Sequence, residues 1–143
     1  MLISSLVASC GQMRPVPPQW SAQEYTPIEF EALQAGTTPP LAANQLVQCR
    51  AYFWQFLNYD PAPFCYYANQ LRYPLSWGSL EWCAVYKTQQ MQGYFDKVVM
   101  DGSQQREFDL KRLDPIILYG EVVPLGGKQV YLRVHHIAKD AID

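Results

Sequence analysis

The stretch PIILYGEVVPLGGKQVYLRVHHIA, residues 115–138, decides the fold. Two runs rich in β-branched and aromatic side chains, residues 116–123 and 130–137, flank the pair Gly126-Gly127. Glycine accepts the positive φ angles that tight turns between twisted strands require, so the stretch predicts a β-hairpin. Alternation of side chains assigns one face of this hairpin to the core. The opposite face is expected to be exposed and to carry Tyr119, Glu121, Tyr131, Arg133 and His135.

Composition places the chain among small globular proteins. It has 143 residues, of which 49% are hydrophobic and 17% charged, so we expect one domain with a substantial core. The formal net charge of −2 provides no overall positive field to attract nucleic acid. No apolar run reaches the roughly 18 residues that a membrane-spanning helix needs, which excludes a multi-pass helical membrane protein.

The first ten residues, MLISSLVASC, are apolar and end in Val7-Ala8-Ser9-Cys10. This tetrapeptide resembles a bacterial lipobox, in which an aliphatic and two small residues precede the cysteine that receives the lipid. The resemblance implies that Cys10 is the acylated first residue of a lipoprotein anchored in the cell envelope and facing the periplasm. An export signal also needs a basic segment, and the first basic residue here is Arg14. Two alternatives stay open: a start site inside a longer signal, or a chance match in a cytoplasmic protein.

Three segments are expected: a signal segment (residues 1–10), a proline-rich tether (11–43) and a β-rich domain (44–143). Six of the eleven prolines lie between residues 11 and 40, and such segments favour extended, semi-rigid spacers. One short helix should interrupt the tether. Thr26, Pro27 and Glu29 supply its N-cap, its first-turn proline and its capping-box acid, and Gly36 ends it.

The middle of the chain is rich in aromatic residues. Residues 46–57 alternate in polarity and predict a long strand, with Tyr52 and Trp54 on its outer face. Residues 64–73 predict a short helix that covers this face and ends before Pro74. The aromatics are explained either by a hydrophobic mini-core or by a surface that stacks on sugars or on a partner. Candidate binding residues are Tyr52, Trp54, Tyr66, Tyr67 and Trp77, together with Tyr119, Tyr131, Arg133 and His135 of the hairpin.

Two further strands, residues 82–87 and 94–100, precede the hairpin, and Asp101-Gly102-Ser103 predicts a tight reversal after the second. This order of strands leads to a resemblance carried by residues 113–122 (LDPIILYGEV), 129–134 (QVYLRV) and Ile137, which are similar to the last two strands of bacterial OB domains. It implies a mainly β fold: a small OB-like barrel or an open antiparallel sheet, with an aromatic-rich, partly helical insert and an extended N-terminal tail. Gly120 is expected where strands approach closely.

The cysteines are compatible with an oxidising compartment. If Cys10 carries lipid, then Cys49, Cys65 and Cys83 remain, and this odd number permits one disulfide and one spare thiol. A bridge between Cys49 and Cys83 would join neighbouring strands, whereas one between Cys65 and Cys83 would close a shorter loop. Both pairings stay open. No CxxC or zinc-ligand spacing occurs, so we expect no metal and no cofactor.

No catalytic constellation is predicted. His135 and His136 are adjacent on a predicted strand, so their rings should point to opposite faces and cannot share a metal. A catalytic histidine needs a nucleophile or a carboxylate within reach, and the sequence nominates neither. We therefore expect that the protein is not an enzyme.

The expected function is that of a non-catalytic envelope lipoprotein, a binding or assembly subunit of a membrane-associated complex that contacts a protein partner. A glycan- or peptidoglycan-binding module is the alternative. A nucleic-acid-binding OB domain is the second alternative, disfavoured by the charge balance. An exposed planar strip of Trp and Tyr beside polar donors would favour a glycan ligand. Buried aromatics with a flat apolar patch elsewhere would favour a protein partner.

Overall fold

A computed structural model describes residues 11–35, 41–62, 68–69, 71–72, 80–126 and 129–140 of the chain. Within these ranges the fold is mainly β, and none of the helices described is long and apolar enough to cross a bilayer. In chain order the elements are a 3-10 turn (Ala22–Glu24), β1 (Thr26–Pro27), α1 (Phe30–Ala35), β2 (Leu46–Phe56), β3 (Leu80–Tyr86), β4 (Tyr94–Asp101), α2 (Gly102–Glu107), β5 (Pro115–Gly126) and β6 (Gln129–Lys139).

The five long strands close into a barrel in the order β2-β3-β4-β6-β5, with β5 pairing back onto β2. The pairing of β4 with β6 is parallel, and the other four barrel pairings are antiparallel. β1 adds a short parallel pairing on β2. A five-stranded barrel of this kind is OB-like. The predicted OB-like barrel is thus confirmed, and the open-sheet alternative is wrong because both edges of β2 are paired.

The hairpin that the sequence predicts is formed by β5 and β6, which pair from Ile116 opposite Lys139 to Gly126 opposite Gln129. Gly120 lies where the strands approach closely, as expected. A Cβ atom added there would lie 2.4 Å from the carbonyl oxygen of Arg133. Only a residue without a side chain fits at this point.

An irregularity in β6 changes which face its last residues occupy. Tyr119 pairs with His136, but the next residue, Gly120, pairs with Val134, so β6 carries one extra residue at His135. After this bulge Ile137 is fully buried in the main core cluster. The ring of His136 lies beside Tyr119 on the outer face. The prediction that the two histidine rings point to opposite faces is therefore wrong.

The main core fills the barrel, and α1 adds Phe30 and Leu33 to it. A second cluster, which includes Met13, Trp82 and Tyr131, packs on the other side of the sheet. The sheet is therefore covered on part of its outer surface. Fully buried residues of the main cluster include Val47, Val85, Val98, Ile116, Leu118, Leu132 and Ile137.

The segment that was expected to be a tether packs against the barrel over residues 11–25, which we call the strap. The amide of Gly11 donates to the carbonyl of Pro124 (2.7 Å), and Met13 is buried in the second cluster. At the other end of β5, the amide of Asp140 donates to the carbonyl of Pro115 (3.0 Å). The strap therefore runs along the barrel instead of away from it.

Two local predictions change in the structure. Thr26 and Pro27 form β1 rather than the start of a helix, and α1 begins only at Phe30. Asp101 does not begin a tight reversal: its side chain accepts a hydrogen bond from the Ser103 amide (2.9 Å) and caps α2. Four residues of the predicted helix at residues 64–73 are described, namely 68, 69, 71 and 72, and all four are helical. The other residues of that helix lie outside the described ranges, as does Gly36.

Candidate functional site

A row of tyrosines crosses three neighbouring strands. Tyr52 of β2 pairs with Tyr86 of β3, and Tyr86 pairs with Tyr94 of β4. Side chains at paired positions share a face of the sheet. Val85 precedes Tyr86 and Phe95 follows Tyr94, and both of these neighbours belong to the barrel core. The tyrosine row therefore lies on the outer surface.

The rings of Trp54 and Tyr59 extend this row into what we call the aromatic strip. Trp54 contacts Tyr86, with ring centroids 5.5 Å apart and planes at 78°. Tyr86 contacts Tyr94 at 5.3 Å and 57°. Tyr59 and Tyr94 are 48% and 41% exposed. Because the ring planes are tilted, the strip is ridged and not planar. Its members are Tyr52, Trp54, Tyr59, Tyr86 and Tyr94.

A chain of hydrogen bonds fixes one end of the strip. Tyr59 donates to the Oδ2 atom of Asp96 (2.8 Å), and the hydroxyls of Tyr59 and Tyr94 lie 3.1 Å apart. Since Tyr59 has one proton to give, Tyr94 must donate to Tyr59. These bonds, with burial and the Asp96 charge, raise the pKa of Tyr59. The loop that follows β2 is thereby tied to β4.

Polar groups lie next to the end of the strip that Tyr59 and Tyr94 form. Lys97 pairs with Asp96 at 3.3 Å, and both side chains are mostly buried. The side-chain amide of Gln34 donates to the carbonyl oxygen of Tyr94 (3.2 Å). A cleft of about 240 Å³ opens here, lined by Leu33, Gln34, Tyr94, Phe95, Asp96, Lys97, Gln129 and Val130.

A cation marks the other end of the strip. The guanidinium carbon of Arg112 lies 4.8 Å from the centroid of the Trp54 ring. Its Nη2 atom donates to the Oε1 atom of Gln55. The strip thus runs from a cation to an ion pair, with hydrogen-bonding groups at both ends. It offers apolar ring faces between polar contacts.

The predicted exposure of the hairpin's outer face is wrong. Tyr119 is 7% exposed, and Tyr131 and Glu121 are fully buried. The strap covers this face: the ring of Trp20 lies 4.9 Å from that of Tyr119. Arg133 is half-buried and donates to the carbonyl of Arg14 (3.4 Å). The alternating pattern predicted which face these residues share, but it could not reveal that another part of the chain packs there.

Glu121 holds the strap through its carboxylate. Both oxygens accept from the backbone amide of Arg14, at 3.0 and 3.1 Å. The Nδ2 atom of Asn44 also donates to Oε2 (2.6 Å). Burial raises the pKa of this carboxyl, although these donors and Arg133 act in the opposite direction. Its partners are structural, so Glu121 belongs to the strap contact and not to a binding surface.

The two histidines also belong to the strap contact. The Nδ1 atom of His135 lies 2.9 Å from the hydroxyl of Tyr25, and the ring of His136 packs edge-on against Trp20 at 4.5 Å. Burial, helped by Arg133, lowers the pKa of His135 to about 4. His135 is therefore neutral at pH 7, and its tautomer decides which partner donates in the hydrogen bond with Tyr25. Among the described residues, no group of three or more His, Cys, Asp or Glu side chains could hold a metal.

The cysteines that were candidates for a disulfide are free where the structure describes them. Cys49 and Cys83 are both buried thiols. Cys49 pairs with Leu118, whereas Cys83 pairs with Phe56, seven residues farther along β2. That separation corresponds to roughly 20 Å of strand, far beyond the roughly 7 Å between Cα atoms that a disulfide allows. The Cys49–Cys83 pairing is therefore wrong, whereas the Cys65–Cys83 pairing stays a prediction because Cys65 lies outside the described residues.

The structure brings together only part of the predicted site. Tyr52 and Trp54 lie in the aromatic strip, as described above. Cys10, Cys65, Tyr66, Tyr67 and Trp77 lie outside the described residues. Sequence reasoning missed Tyr59, Tyr86, Tyr94 and Arg112 as site residues. Tyr86 and Tyr94 flank a turn symmetrically, and that spacing is the one signal that could have placed them side by side.

The sequence matches no protein family, and no curated protein is similar to it. Among solved structures, the hypothetical protein ygiW from E. coli is 13% identical, with 85% of this chain and all of that chain covered and a TM-score of 0.47. A putative aspartyl-tRNA synthetase from Leishmania major Friedlin is 9% identical, with 97% of this chain and 25% of that chain covered and a TM-score of 0.46. An OBody bound to hen egg-white lysozyme is 11% identical, with 90% and 97% covered and a TM-score of 0.41. Similarities at this level assign no function.

Proposed function

We propose that the protein is a non-catalytic binding module that holds a saccharide chain on the aromatic strip. The observation that carries this proposal is the row formed by Tyr52, Tyr86 and Tyr94 across three strands, extended by Trp54 and Tyr59. Sugar rings present C–H faces that pack on aromatic rings and hydroxyls that need polar partners. The strip supplies both kinds of contact, with polar groups at each end.

Preorganisation supports the same proposal. Three strands fix the backbone of the tyrosine row, and the bonds from Tyr94 to Tyr59 and from Tyr59 to Asp96 fix the exposed rings. A surface that is already ordered loses less conformational entropy when a ligand binds. The strip also spans strands β3 and β4, the face that OB barrels use for oligosaccharides and oligonucleotides. The correspondence with OB barrels is one of fold alone.

Titration calorimetry with the purified protein tests the proposal, using soluble peptidoglycan fragments and neutral gluco-oligosaccharides as probes. Replacing Tyr86 and Tyr94 together by alanine should weaken binding by about tenfold or more, because both rings would lose their contact with the sugar. Trp20→Ala is the matched control, since Trp20 is an exposed aromatic residue away from the strip. Equal affinities for the double variant and the control variant would overturn the proposal.

A protein partner is the second candidate, and the tilt of the rings favours it. Planes at 57° and 78° leave grooves between the ridges of the strip. Proline-rich segments in the polyproline conformation bind in such aromatic-lined grooves. The protein would then be an assembly subunit, as first expected. Titration with a short proline-rich peptide separates the candidates, because binding of the peptide and of no saccharide would replace the first proposal by the second.

We also propose that the protein is anchored in the cell envelope by a lipid on Cys10 and faces the periplasm. The support is the lipobox-like sequence Val7-Ala8-Ser9-Cys10. Gly11, the residue that follows, is bonded to Pro124 near the tip of the hairpin. Mass spectrometry of the protein from its native membrane tests this. A free Cys10 thiol or an unmodified Met1 would contradict the proposal.

A further inference from the structure

One positive charge is held in a defined position at the end of the aromatic strip. The guanidinium of Arg112 lies over the Trp54 ring at 4.8 Å, and Gln55 accepts a hydrogen bond from it. Arg112 is nevertheless exposed. A guanidinium is planar and carries five N–H donors, so one held over an indole ring and bonded to the side chain of Gln55 still has donors available to a ligand.

The backbone around Arg112 is fixed. The amide of Lys111 donates to the Asp114 carboxylate (2.8 Å), and the amide of Asp114 donates to the carbonyl of Lys111 (3.0 Å). The amide of Phe53 donates to the carbonyl of Asp114 (3.0 Å), which joins this turn to β2. Leu113 has a φ of 68°, a left-handed conformation that a branched side chain rarely adopts. The turn is held in place by its contacts with β2, so Arg112 is presented beside Trp54.

Arg112 differs from three other cations close to the barrel surface, each of which pairs with a carboxylate. Arg50 pairs with Asp140 (3.0 Å), Lys97 with Asp96 (3.3 Å) and Lys111 with Asp109 (3.7 Å). In the part of the chain that the structure describes, no carboxylate lies within ion-pairing distance of Arg112. An oriented guanidinium without an acidic partner is suited to bind a carboxylate or phosphate group with two parallel hydrogen bonds.

We propose that the ligand of the aromatic strip is an anionic saccharide, whose carboxylate or phosphate group binds Arg112 while its sugar rings pack on Trp54, Tyr86 and Tyr94. This inference rests on the proposed function and names its ligand class. The charge of the ligand complements Arg112, and the apolar faces of its rings complement the strip. A carboxylate of a uronic or muramic-type sugar and a phosphate of a teichoic-type polymer share this chemistry.

Titration calorimetry with three polymers tests the proposal: polygalacturonate, the same polymer with its carboxylates methyl-esterified, and glycerol-phosphate teichoic acid. The wild-type protein should bind at least one of the anionic polymers about tenfold more tightly than the ester, which is the size expected for a charge-assisted hydrogen-bonded pair. The anionic polymer that binds more tightly identifies the group as carboxylate or phosphate. Added salt should reduce the preference.

Variants at neighbouring positions isolate the role of Arg112. Arg112→Gln should lose most of the preference for the anionic polymer, and Arg112→Lys should retain part of it, because lysine keeps the charge but not the planar fork. Lys111→Gln is the control: it removes the same charge from the adjacent residue, which points to Asp109 and not to Trp54. Thermal unfolding of each variant checks that the fold persists.

The outcomes separate this inference from the proposed function. If the esterified polymer binds as well as the anionic ones, or if Lys111→Gln loses as much affinity as Arg112→Gln, then the anionic inference is overturned and saccharide binding stands. If no polymer or oligosaccharide binds, then both are overturned.

Discussion

Gly120 shows at the scale of one residue how the barrel constrains its sequence. Its position in β5 brings it so close to β6 that an added Cβ atom would lie 2.4 Å from the carbonyl oxygen and 3.0 Å from the carbonyl carbon of Arg133. Both contacts are with backbone atoms in the middle of a paired strand, which cannot move without disturbing the ladder. A flexible side chain, by contrast, could rotate away.

Gly120→Ala should therefore lower the free energy of unfolding by about 1–3 kcal/mol or more. Chemical denaturation followed by fluorescence measures this change. Gly102→Ala is the matched control, since the nearest atom to its added Cβ is the carboxylate oxygen Oε2 of the exposed Glu81 side chain. This control should change stability by less than about 1 kcal/mol. Equal losses in both variants would show that the close approach at Gly120 is unimportant.

At the scale of elements, the strap is held by a small set of polar bonds and by aromatic packing. Tyr25 is buried and its hydroxyl lies 2.9 Å from the Nδ1 atom of His135. Burial raises the pKa of Tyr25 and lowers that of His135, so both groups are uncharged at neutral pH. Protonation of His135 would place a positive charge in this buried contact, where burial disfavours it. The strap contact should therefore weaken in acid.

The lowered pKa of His135 fixes the sign and the pH window of this effect. Between its ordinary value of 6.5 and its value of about 4 in the folded protein, the unfolded chain binds more protons than the folded one. The free energy of unfolding should fall as the pH is lowered through this window. Relative to wild type, His135→Gln should become progressively more stable as the pH falls from 6.5 to 4. Urea denaturation at a series of pH values checks this.

A double-mutant cycle at pH 7 provides the control. Tyr25→Phe should cost about 1 kcal/mol in wild type and little in the His135→Gln background, because the hydrogen bond is already absent there. Glu121, whose raised pKa gives the opposite pH trend, is present in every protein of the series and cancels in the comparison. If the difference in the free energy of unfolding between wild type and His135→Gln does not change with pH, then the lowered pKa of His135 is contradicted.

Elements were predicted from the sequence more successfully than the faces they present. The hairpin, the long strand β2 and the strands β3 and β4 follow from runs of β-forming residues between turns. Strict alternation fails after a bulge, because one extra residue moves every later side chain to the other face. For this reason Ile137 is in the core and His136 is outside. Nothing in a period of two residues marks where such a bulge falls.

At the scale of the whole molecule, the barrel interior holds two thiols that the sequence left available for a disulfide. Cys49 and Cys83 are 2% and 0% exposed. Burial raises the pKa of Cys49 to about 12 and also raises that of Cys83. Since the thiolate is the reactive form, neither group should react while the barrel is folded.

In a protein with Cys10 and Cys65 both replaced by serine, the two remaining thiols should be inert to DTNB at about pH 8. Both should react once guanidinium chloride unfolds the barrel. The absorbance of the thionitrobenzoate released measures the reaction. Rapid modification of either thiol in the folded protein would show that the barrel opens locally at that position.

The candidate site depends on the whole molecule, which explains why so little of it was predicted. Tyr52 and Trp54 were identified because they lie on one strand. Tyr86 and Tyr94 join them only through the register of three strands, and Arg112 only through the turn that bonds to Phe53. Contacts between residues so distant in sequence depend on how the barrel closes, and local sequence patterns do not predict them.

The contacts at the two ends of β5 have a mechanical consequence. Gly11 is bonded at Pro124 and Asp140 at Pro115, so the two ends of the described chain are attached about 30 Å apart along one strand. Tension between these ends would pull along β5 and load its hydrogen bonds with β2 and β6 in shear, so that many would have to break together. A barrel pulled in this direction should withstand larger forces than one whose strands separate one bond at a time.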